Sequence, residues 1–257
     1  GLLQISSSED LALEVNRNFA EADLTIGITS ILPHSHVGFS GGGKVVLPGL
    51  ASIGTIHQFH SLRPLPREGS QQCLDPDLSD RENIQSAIRE AAGRAGLDLT
   101  LNVVCNAKRE IAGLFVGEAE NGYRAGVELA RRIYATKLPR KANVAVLNAY
   151  PKDTEFYQVL NALQIIQSTG NLLVHDEGSI VLTTAASEGR GIHYLFGPEG
   201  QHPFVLNREQ LLGNRHLMIY SPNMSQAAAY SVFPAGVEFF SRWDQVTARL
   251  APLYGHG

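Results

Sequence analysis

Four of the nine histidines in this 257-residue sequence flank a glycine-rich run that ends in a lysine. They are His34, His36, His57 and His60, and the run at residues 38–44 reads GFSGGGK. An imidazole titrates near neutral pH, so it can serve as an acid or a base, and its neutral form binds Zn, Cu, Fe or Ni. A lysine amine becomes a nucleophile once its surroundings lower its pKa. These residue types therefore indicate a site for catalysis, metal binding or covalent attachment.

The three consecutive glycines Gly41, Gly42 and Gly43 have two possible uses. Glycine adopts positive φ easily, so the backbone can approach a ligand closely and its N–H groups can surround an anion such as phosphate. A tight loop without a ligand would have the same composition. The spacing also fits the nucleotide-triphosphate loop up to Lys44, but Val45 stands where that loop needs a Ser or Thr for Mg²⁺. Lys44 and the flanking histidines favour a binding site of another kind.

His57 and His60 are three residues apart in a segment with helical periodicity at residues 51–62. Their side chains would lie on one face of the helix, where they could supply two metal ligands, or one ligand and a packing neighbour. The spacing indicates a transition metal without choosing among them. A zinc hydrolase that uses these histidines, and a non-catalytic domain that binds a small anion in the glycine loop, both remain open on this evidence.

The size and charge of the chain narrow the class of protein. A chain of 257 residues is long enough for two domains with cores of their own. A net charge of −4 favours a small-molecule ligand over nucleic acid or an anionic membrane. The sequence has two cysteines and no run near the ~20 apolar residues that cross a bilayer, so we expect a reducing cytoplasm.

Apolar periodicity predicts alternating helices and strands, which is typical of α/β domains with parallel-type sheets. The polar run at residues 137–141 contains Pro139, so we expect two α/β domains, at residues 1–136 and 137–257, with a cleft between them. The predicted strands are residues 24–31, 99–105, 144–147, 179–184 and 216–220, and the predicted helices are residues 11–19, 51–62, 81–95, 118–136, 155–167 and 225–228.

Longer motifs surround the histidines and the lysine. The segment at residues 33–44 reads PHSHVGFSGGGK and continues through residues 47–49 to His60, and it resembles the signature of the nickel-pincer lactate racemase family. The resemblance covers most of residues 20–170. Further similar segments are residues 98–104, 111–118, 124–126 and 148–153, and the pair Tyr157 and Gln158.

The resemblance implies a role for each residue of the cluster. Lys44 matches the lysine that covalently holds a nickel-pincer nucleotide, a nickel pyridinium dithio-dicarboxylate mononucleotide, and the glycines at residues 41–43 would leave room for it. His60 matches the nickel ligand, and His34 matches one of two catalytic histidines. In the family the cofactor ring takes a hydride from the carbon that bears the hydroxyl while a histidine takes the hydroxyl proton, and return of the hydride to the other face inverts that carbon. The implied activity is racemisation or epimerisation of a 2-hydroxy acid.

The same resemblance identifies residues that would contact the substrate. Tyr157 and Gln158 match positions in the family's substrate pocket. Asn161 stands where the family has a lysine that helps to bind the substrate carboxylate, so this chain would lack that charge. The implied partners are a small 2-hydroxy acid and the proteins that make the cofactor, while the preferred substrate and the oligomeric state stay open.

The resemblance also places the start of this sequence inside the family's first domain. We therefore expect roughly 100 residues upstream, which in the family contain the second catalytic histidine and a substrate-binding arginine. On this expectation the 257-residue chain would not turn over substrate by itself. The alternative is that His36 or His57 serves as the second base.

Overall fold

A computed structural model of the chain describes residues 1–6, 11–34, 36–62, 82–138, 140–168, 173–193, 212–233 and 236–255, with the backbone alone at residues 160 and 164–168. These residues form two compact units, divided between Thr136 and Lys137. The strands are β1 (Leu2–Ser6), β2 (Leu13–Asn16), β3 (Ile26–Ser30), β4 (Pro33–His34), β5 (Gly38–Phe39), β6 (Leu99–Cys105), β7 (Ile111–Gly117), β8 (Ala142–Asn148), β9 (Val174–Thr183), β10 (His216–Tyr220) and β11 (Glu238–Phe240). The helices are α1 (Arg17–Ala20), α2 (Ile53–Ser61), α3 (Glu82–Arg94), α4 (Ala119–Tyr134), α5 (Phe156–Ser168), α6 (Gln226–Tyr230) and α7 (Trp243–Tyr254), with one 3₁₀ helix at Gly42–Val45.

The first unit begins with a β-hairpin where the sequence predicts a helix. Strands β1 and β2 pair antiparallel, so the helix predicted at residues 11–19 is wrong except for the single turn α1. Leu13 and Val15 are buried while Glu14 between them is only partly buried, which is the two-residue alternation of a strand. A contact from outside the hairpin also holds β2, because Ser52 N donates to Glu14 O at 2.8 Å.

The central sheet of the first unit has the order β3-β6-β7. Strands β3 and β6 run parallel and β6 and β7 run antiparallel, so the sheet is mixed rather than purely parallel as expected. The strands predicted at residues 24–31 and 99–105 are confirmed, and β7 is an addition to them. Helix α4 packs on one face of the sheet, where Val104, Tyr123 and Val127 are buried in one cluster.

The other face of this sheet is apolar and exposed. Ile26 and Ile28 of β3 are 52% and 74% exposed, and Leu114 and Val116 of β7 are 54% and 60% exposed. The pairing register places all four side chains on the same face. Sheets with parallel strands are normally covered on both faces, so the described residues leave this sheet with one layer of helix instead of two.

The second unit is a sheet in the order β11-β10-β9-β8, in which each neighbouring pair runs parallel. Parallel neighbours need crossover connections, and α6 lies in the connection between β10 and β11. The strands and helices predicted for this part of the chain are confirmed, and β11 and α7 are additions to them. The α/β fold class predicted from the sequence is therefore confirmed. Among the described residues, no helix has the length and apolar character that a membrane span requires.

Candidate active site

His34 lies in the small antiparallel hairpin that β4 and β5 form. Its Nδ1 accepts hydrogen bonds from the backbone N–H groups of His36 at 3.2 Å and of Val37 at 3.4 Å. A ring nitrogen that accepts N–H groups carries the lone pair, so the neutral ring has its proton on Nε2. The hairpin thus favours one position and one tautomer of this side chain.

His60 lies in the last turn of α2, a helix whose N-terminus is capped by the Ser52 hydroxyl accepting from Thr55 N at 3.2 Å. Nδ1 of His60 is 2.8 Å from the carbonyl oxygen of Ile56, one turn earlier in the helix. Because a carbonyl can only accept, Nδ1 must donate, and the neutral ring carries its lone pair on Nε2. Metal-binding histidines commonly have this arrangement, with the second ring N–H donated to a backbone carbonyl.

His36 stacks on His60 and so connects the loop to α2. The two rings are nearly parallel, with an angle of 11° and 5.7 Å between their centroids. Both also meet the ring of Phe59 at close to a right angle, and Phe59 is buried in the core of the first unit. His57 lies on α2, three residues before His60, and is partly buried. The structure therefore brings His36 and His60 together and holds His34 on the same loop as His36.

No three His, Cys, Asp or Glu side chains lie close enough to share a metal ion within the described ranges of the chain. A zinc site built from protein groups needs three or four of them. If His60 binds a metal, the remaining ligands must come from outside these residues, for example from an organic cofactor.

The glycine run forms the tightly packed 3₁₀ helix Gly42–Val45. Gly41 and Gly42 have φ values of +99° and +54°, a region in which a side chain strains the backbone. Methyl groups added to the three glycines would collide with their neighbours: Ile31 at 2.7 Å from Gly41, Tyr123 at 3.0 Å from Gly42, and Ala92 at 2.9 Å from Gly43. The packing of the protein itself therefore requires glycine at these positions.

Two backbone N–H groups of this turn are bound inside the protein. Gly42 N donates to Oδ1 of Asn102 at 2.8 Å, and Lys44 N donates to Gly41 O at 3.1 Å. Asn102 is buried on β6, and its Nδ2 donates to the Thr100 hydroxyl at 2.9 Å. These two N–H groups thus have protein acceptors rather than the anion that the glycine run suggested.

Two helices hold the loop at residues 36–44. Gln85 of α3 donates to Val37 O and to the hydroxyl of Tyr123, and Tyr123 of α4 donates to Phe39 O at 3.0 Å. Burial raises the pKa of Tyr123 to about 12, so its hydroxyl stays protonated and can donate at any physiological pH. The loop backbone is therefore fixed at two carbonyl groups between the catalytic candidate and the lysine.

A cavity of about 190 Å³ lies beside Lys44 in the first unit. Lys44 lines it from the 3₁₀ helix, and Arg89 lines it from α3. Arg89 forms ion pairs with Glu82 and with Glu120 of α4, so its charge is shared between two carboxylates. The cavity leaves open space next to the lysine.

In the second unit, Tyr157, Gln158 and Asn161 lie in the first two turns of α5. Tyr157 is only 5% exposed, so it is not an ordinary residue of a helix surface. Nδ2 of Asn161 donates to Gln158 O at 2.9 Å and to Gln158 Oε1 at 3.1 Å. The two amides form a pair, in which the donor group of Asn161 is directed at Gln158.

A loop that follows β9 brings Arg190 to the start of α5. The N–H groups of Phe156 and Tyr157 donate to the carbonyl groups of Gly189 at 2.9 Å and Arg190 at 3.2 Å. The guanidinium carbon of Arg190 lies 5.9 Å from the centroid of the Tyr157 ring, within the range of a cation–π contact. Arg190 therefore contacts a predicted substrate residue through its main chain and its side chain.

Sequence reasoning missed the residues that hold the site in place. The sequence could have indicated a structural role for Asn102, because an amide inside an apolar strand must find hydrogen-bond partners in the interior. No such indication exists for Gln85 and Tyr123, since polar groups on helices usually face water. Arg190 stands between two glycines, which indicates a tight loop but not the helix that the loop contacts.

Comparison with known proteins identifies relatives of the chain. Residues 5–71 match the family model of the lactate racemase N-terminal domain. The lactate racemase of Thermoanaerobacterium thermosaccharolyticum is 31% identical over an alignment of 185 residues that covers 70% of this chain and 40% of that protein. The lactate racemase of Lactiplantibacillus plantarum is 29% identical over 182 residues, 69% of this chain and 40% of that protein. The chain thus spans 40% of the length of the curated relatives it matches.

Solved structures share the fold. The lactate racemase apoprotein from Thermoanaerobacterium thermosaccharolyticum superposes with a TM-score of 0.68 at 21% identity, over 99% of this chain and 64% of that one. A protein from Thermotoga maritima superposes with a TM-score of 0.60 at 18% identity, over 93% of this chain and 69% of that one. With the sequence matches, these similarities show that the chain is related in sequence to lactate racemases and has the fold of the solved lactate racemase apoprotein.

Proposed function

We propose that this chain is the part of a 2-hydroxy acid racemase or epimerase that holds a nickel-pincer nucleotide. The observation that carries the proposal is the hydrogen bond from His60 Nδ1 to Ile56 O at 2.8 Å, which orients Nε2 as a metal-binding nitrogen. The relatives support the reaction class, because both curated proteins are lactate racemases.

Lys44 is the proposed point of covalent attachment. It belongs to the packed 3₁₀ turn and lines the cavity of about 190 Å³, so its backbone is fixed and space is available beside it. An organic cofactor that holds a metal would supply the metal's other ligands. His60 alone could then bind the metal on the protein side. The glycines at residues 41–43 are proposed to serve the cofactor by letting this turn pack against its neighbours.

His34 is proposed to move the proton of the substrate hydroxyl. When bound, the cofactor supplies an acceptor for the hydride of the carbon that bears this hydroxyl. Nδ1 of His34 accepts from two backbone N–H groups, so proton transfer uses Nε2, which carries a proton in the favoured neutral tautomer. His34 is therefore ready to donate, and to accept a proton it must first move its own proton to Nδ1 and give up those two contacts.

The second unit is proposed to contribute Tyr157, Gln158 and Asn161 to substrate binding. Tyr157 is buried, and the amides of Gln158 and Asn161 are paired, so the three side chains offer hydrogen-bonding groups without a charge. The proposed substrate is a small 2-hydroxy acid, and the proposed partners are the proteins that make the cofactor.

The test replaces the two histidines one at a time in protein produced together with the cofactor-making enzymes. His60→Ala should lose most of its nickel and keep its fold, because a metal ligand is removed. His34→Ala should keep its nickel, and any racemisation of a 2-hydroxy acid by the unsubstituted protein should fall by roughly 10²–10⁴-fold, because an acid–base group is removed. Nickel per chain is measured by elemental analysis and folding by circular dichroism.

His57→Ala is the matched control, because it removes an imidazole from the same helix. It should keep both nickel and fold. Equal nickel in His60→Ala and His57→Ala would contradict the proposed ligand. Zinc in place of nickel in the unsubstituted protein would contradict the proposal of a nickel cofactor.

A further inference from the structure

The proposed substrate residues of the second unit lack a positive charge. Tyr157, Gln158 and Asn161 are all neutral, whereas every 2-hydroxy acid is an anion at neutral pH. The Nδ2 group of Asn161 already donates to Gln158. A carboxylate that leaves water needs a cation or several hydrogen-bond donors, because an unpaired charge is costly to bury.

Arg190 is a cation that contacts Tyr157, one of these three residues. Its guanidinium carbon lies 5.9 Å from the centre of the Tyr157 ring, and its carbonyl group accepts from Tyr157 N at 3.2 Å. The loop is further held to α5 because Phe156 N donates to Gly189 O at 2.9 Å. Gly189 and Gly191 have φ values of +72° and +76°, so the residues on either side of Arg190 are in a conformation that glycine allows.

The position of Arg190 in the fold is one where α/β proteins bind ligands. Its loop follows the carboxyl end of β9, and α5 follows the carboxyl end of the neighbouring parallel strand β8. Ligands of α/β sheets bind outside the carboxyl ends of the strands. The side chain of Glu155 packs against Gly191 of the same loop. A carboxylate of the protein therefore lies close to the loop that carries Arg190.

We propose that Arg190 binds the carboxylate of the substrate and makes the second unit selective for acids. The inference rests on the proposed function, which supplies the 2-hydroxy acid. A planar guanidinium can form two parallel hydrogen bonds with a carboxylate, so the preference would be for an acid over the neutral amide of the same shape. Asn161 then needs no charge of its own.

The experiment measures binding of lactate and of its neutral analogue lactamide by ligand-observed NMR. The unsubstituted chain should bind lactate at least about tenfold more tightly than lactamide, as expected for a hydrogen bond to a charged group. Arg190→Gln should lower lactate affinity about tenfold and leave lactamide affinity unchanged. Arg190→Lys should keep part of the preference, because the charge remains without the planar fork.

Arg242→Gln is the matched control. Arg242 is an exposed arginine of the same unit, paired with Asp244, and its loss should leave the preference unchanged. An Arg190→Gln protein that still prefers lactate would overturn the inference and leave the proposed function standing. An unsubstituted chain that binds neither ligand, tested also with larger 2-hydroxy acids, would count against the proposed function and the inference together.

Discussion

His34 and His60 carry their protons on opposite ring nitrogens when neutral. In His34 two backbone N–H groups occupy Nδ1, and in His60 a backbone carbonyl group requires a proton on Nδ1. At Nε2, neutral His34 therefore has an N–H group that can donate, and neutral His60 has a lone pair that can bind a metal. This difference suits the proposed role of His60 as a metal ligand and the step in which His34 would donate a proton.

Long-range ¹H–¹⁵N NMR at a pH where both rings are neutral tests this arrangement without any cofactor. We expect the Nε2–H tautomer for His34 and the Nδ1–H tautomer for His60. His34→Gln and His60→Gln variants assign the signals. The same tautomer for both histidines would contradict the assignment of their roles.

Tyr123 links the loop to α4, and its raised pKa makes the free energy of unfolding sensitive to alkali. Burial raises its pKa to about 12 from the ordinary value of 10.0. Above pH 10 the unfolded chain is stabilised by ionisation of this phenol, while the folded chain keeps it protonated. The free energy of unfolding should therefore fall by up to about 3 kcal/mol between pH 10 and 12, and the contribution is fully present below pH 10.

Tyr123→Phe should cost about 1–2 kcal/mol at pH 7, because Phe39 O loses its donor inside the protein. It should also show a weaker loss of stability in alkali than the unsubstituted protein. Urea unfolding at pH 7, 10 and 11 measures both effects, with the exposed Tyr230→Phe as the control. An identical alkaline loss in Tyr123→Phe and in the unsubstituted protein would show that this phenol is not the sensitive group.

At the residue scale, the sequence indicates the groups that could do chemistry but not the groups that hold them. Histidine, lysine and glycine have distinctive chemistry, so their clustering is visible without a structure. Gln85 and Arg190 act through contacts between elements that lie far apart in sequence: 48 residues separate Gln85 from its acceptor Val37. Such contacts depend on the tertiary fold, which one sequence does not reveal.

At the scale of the elements, apolar periodicity predicts a helix or strand correctly where one face is apolar along its length. Helices α3 and α4 and the strands β8, β9 and β10 have such patterns, and the sequence predicts each of them. The hairpin β1–β2 is not predicted, because Leu11, Val15 and Phe19 also have the four-residue spacing of a helical face and the partner strand β1 is short. Pairing with that strand, rather than the local preference of these residues, decides the structure.

The geometry of the 3₁₀ turn leads to a prediction about the free energy of unfolding when either of two glycines of the first unit is replaced. Gly42→Ala should cost roughly 1–3 kcal/mol, because φ is +54° and the added methyl group would meet Tyr123 at 3.0 Å. Gly93→Ala in α3 should instead stabilise by about 0.5–1 kcal/mol, since among the described residues no heavy atom beyond its own chain neighbours and helix backbone lies within 4 Å of the added group. Urea unfolding measures both. Equal effects of the two substitutions would show that the turn tolerates a side chain.

At the scale of the whole molecule, each unit has a separate share of the proposed function. The first unit contains His34, Lys44 and His60 within one loop and the helix that follows it. The second unit contains the α5 residues and Arg190 at the carboxyl ends of two parallel strands. The chain matches 40% of the length of its curated relatives.

The central claim is that Lys44 carries the cofactor covalently, and peptide mass spectrometry tests it directly. Protein made together with the cofactor-making enzymes should yield a Lys44 peptide that is heavier by the mass of the pincer nucleotide. Lys44→Arg should yield only the unmodified peptide, because a guanidinium keeps the charge but is a poor nucleophile. Lys108→Arg, at an exposed lysine of the same unit, should leave the adduct in place. An unmodified Lys44 peptide from protein that contains nickel and racemises a 2-hydroxy acid would contradict the account.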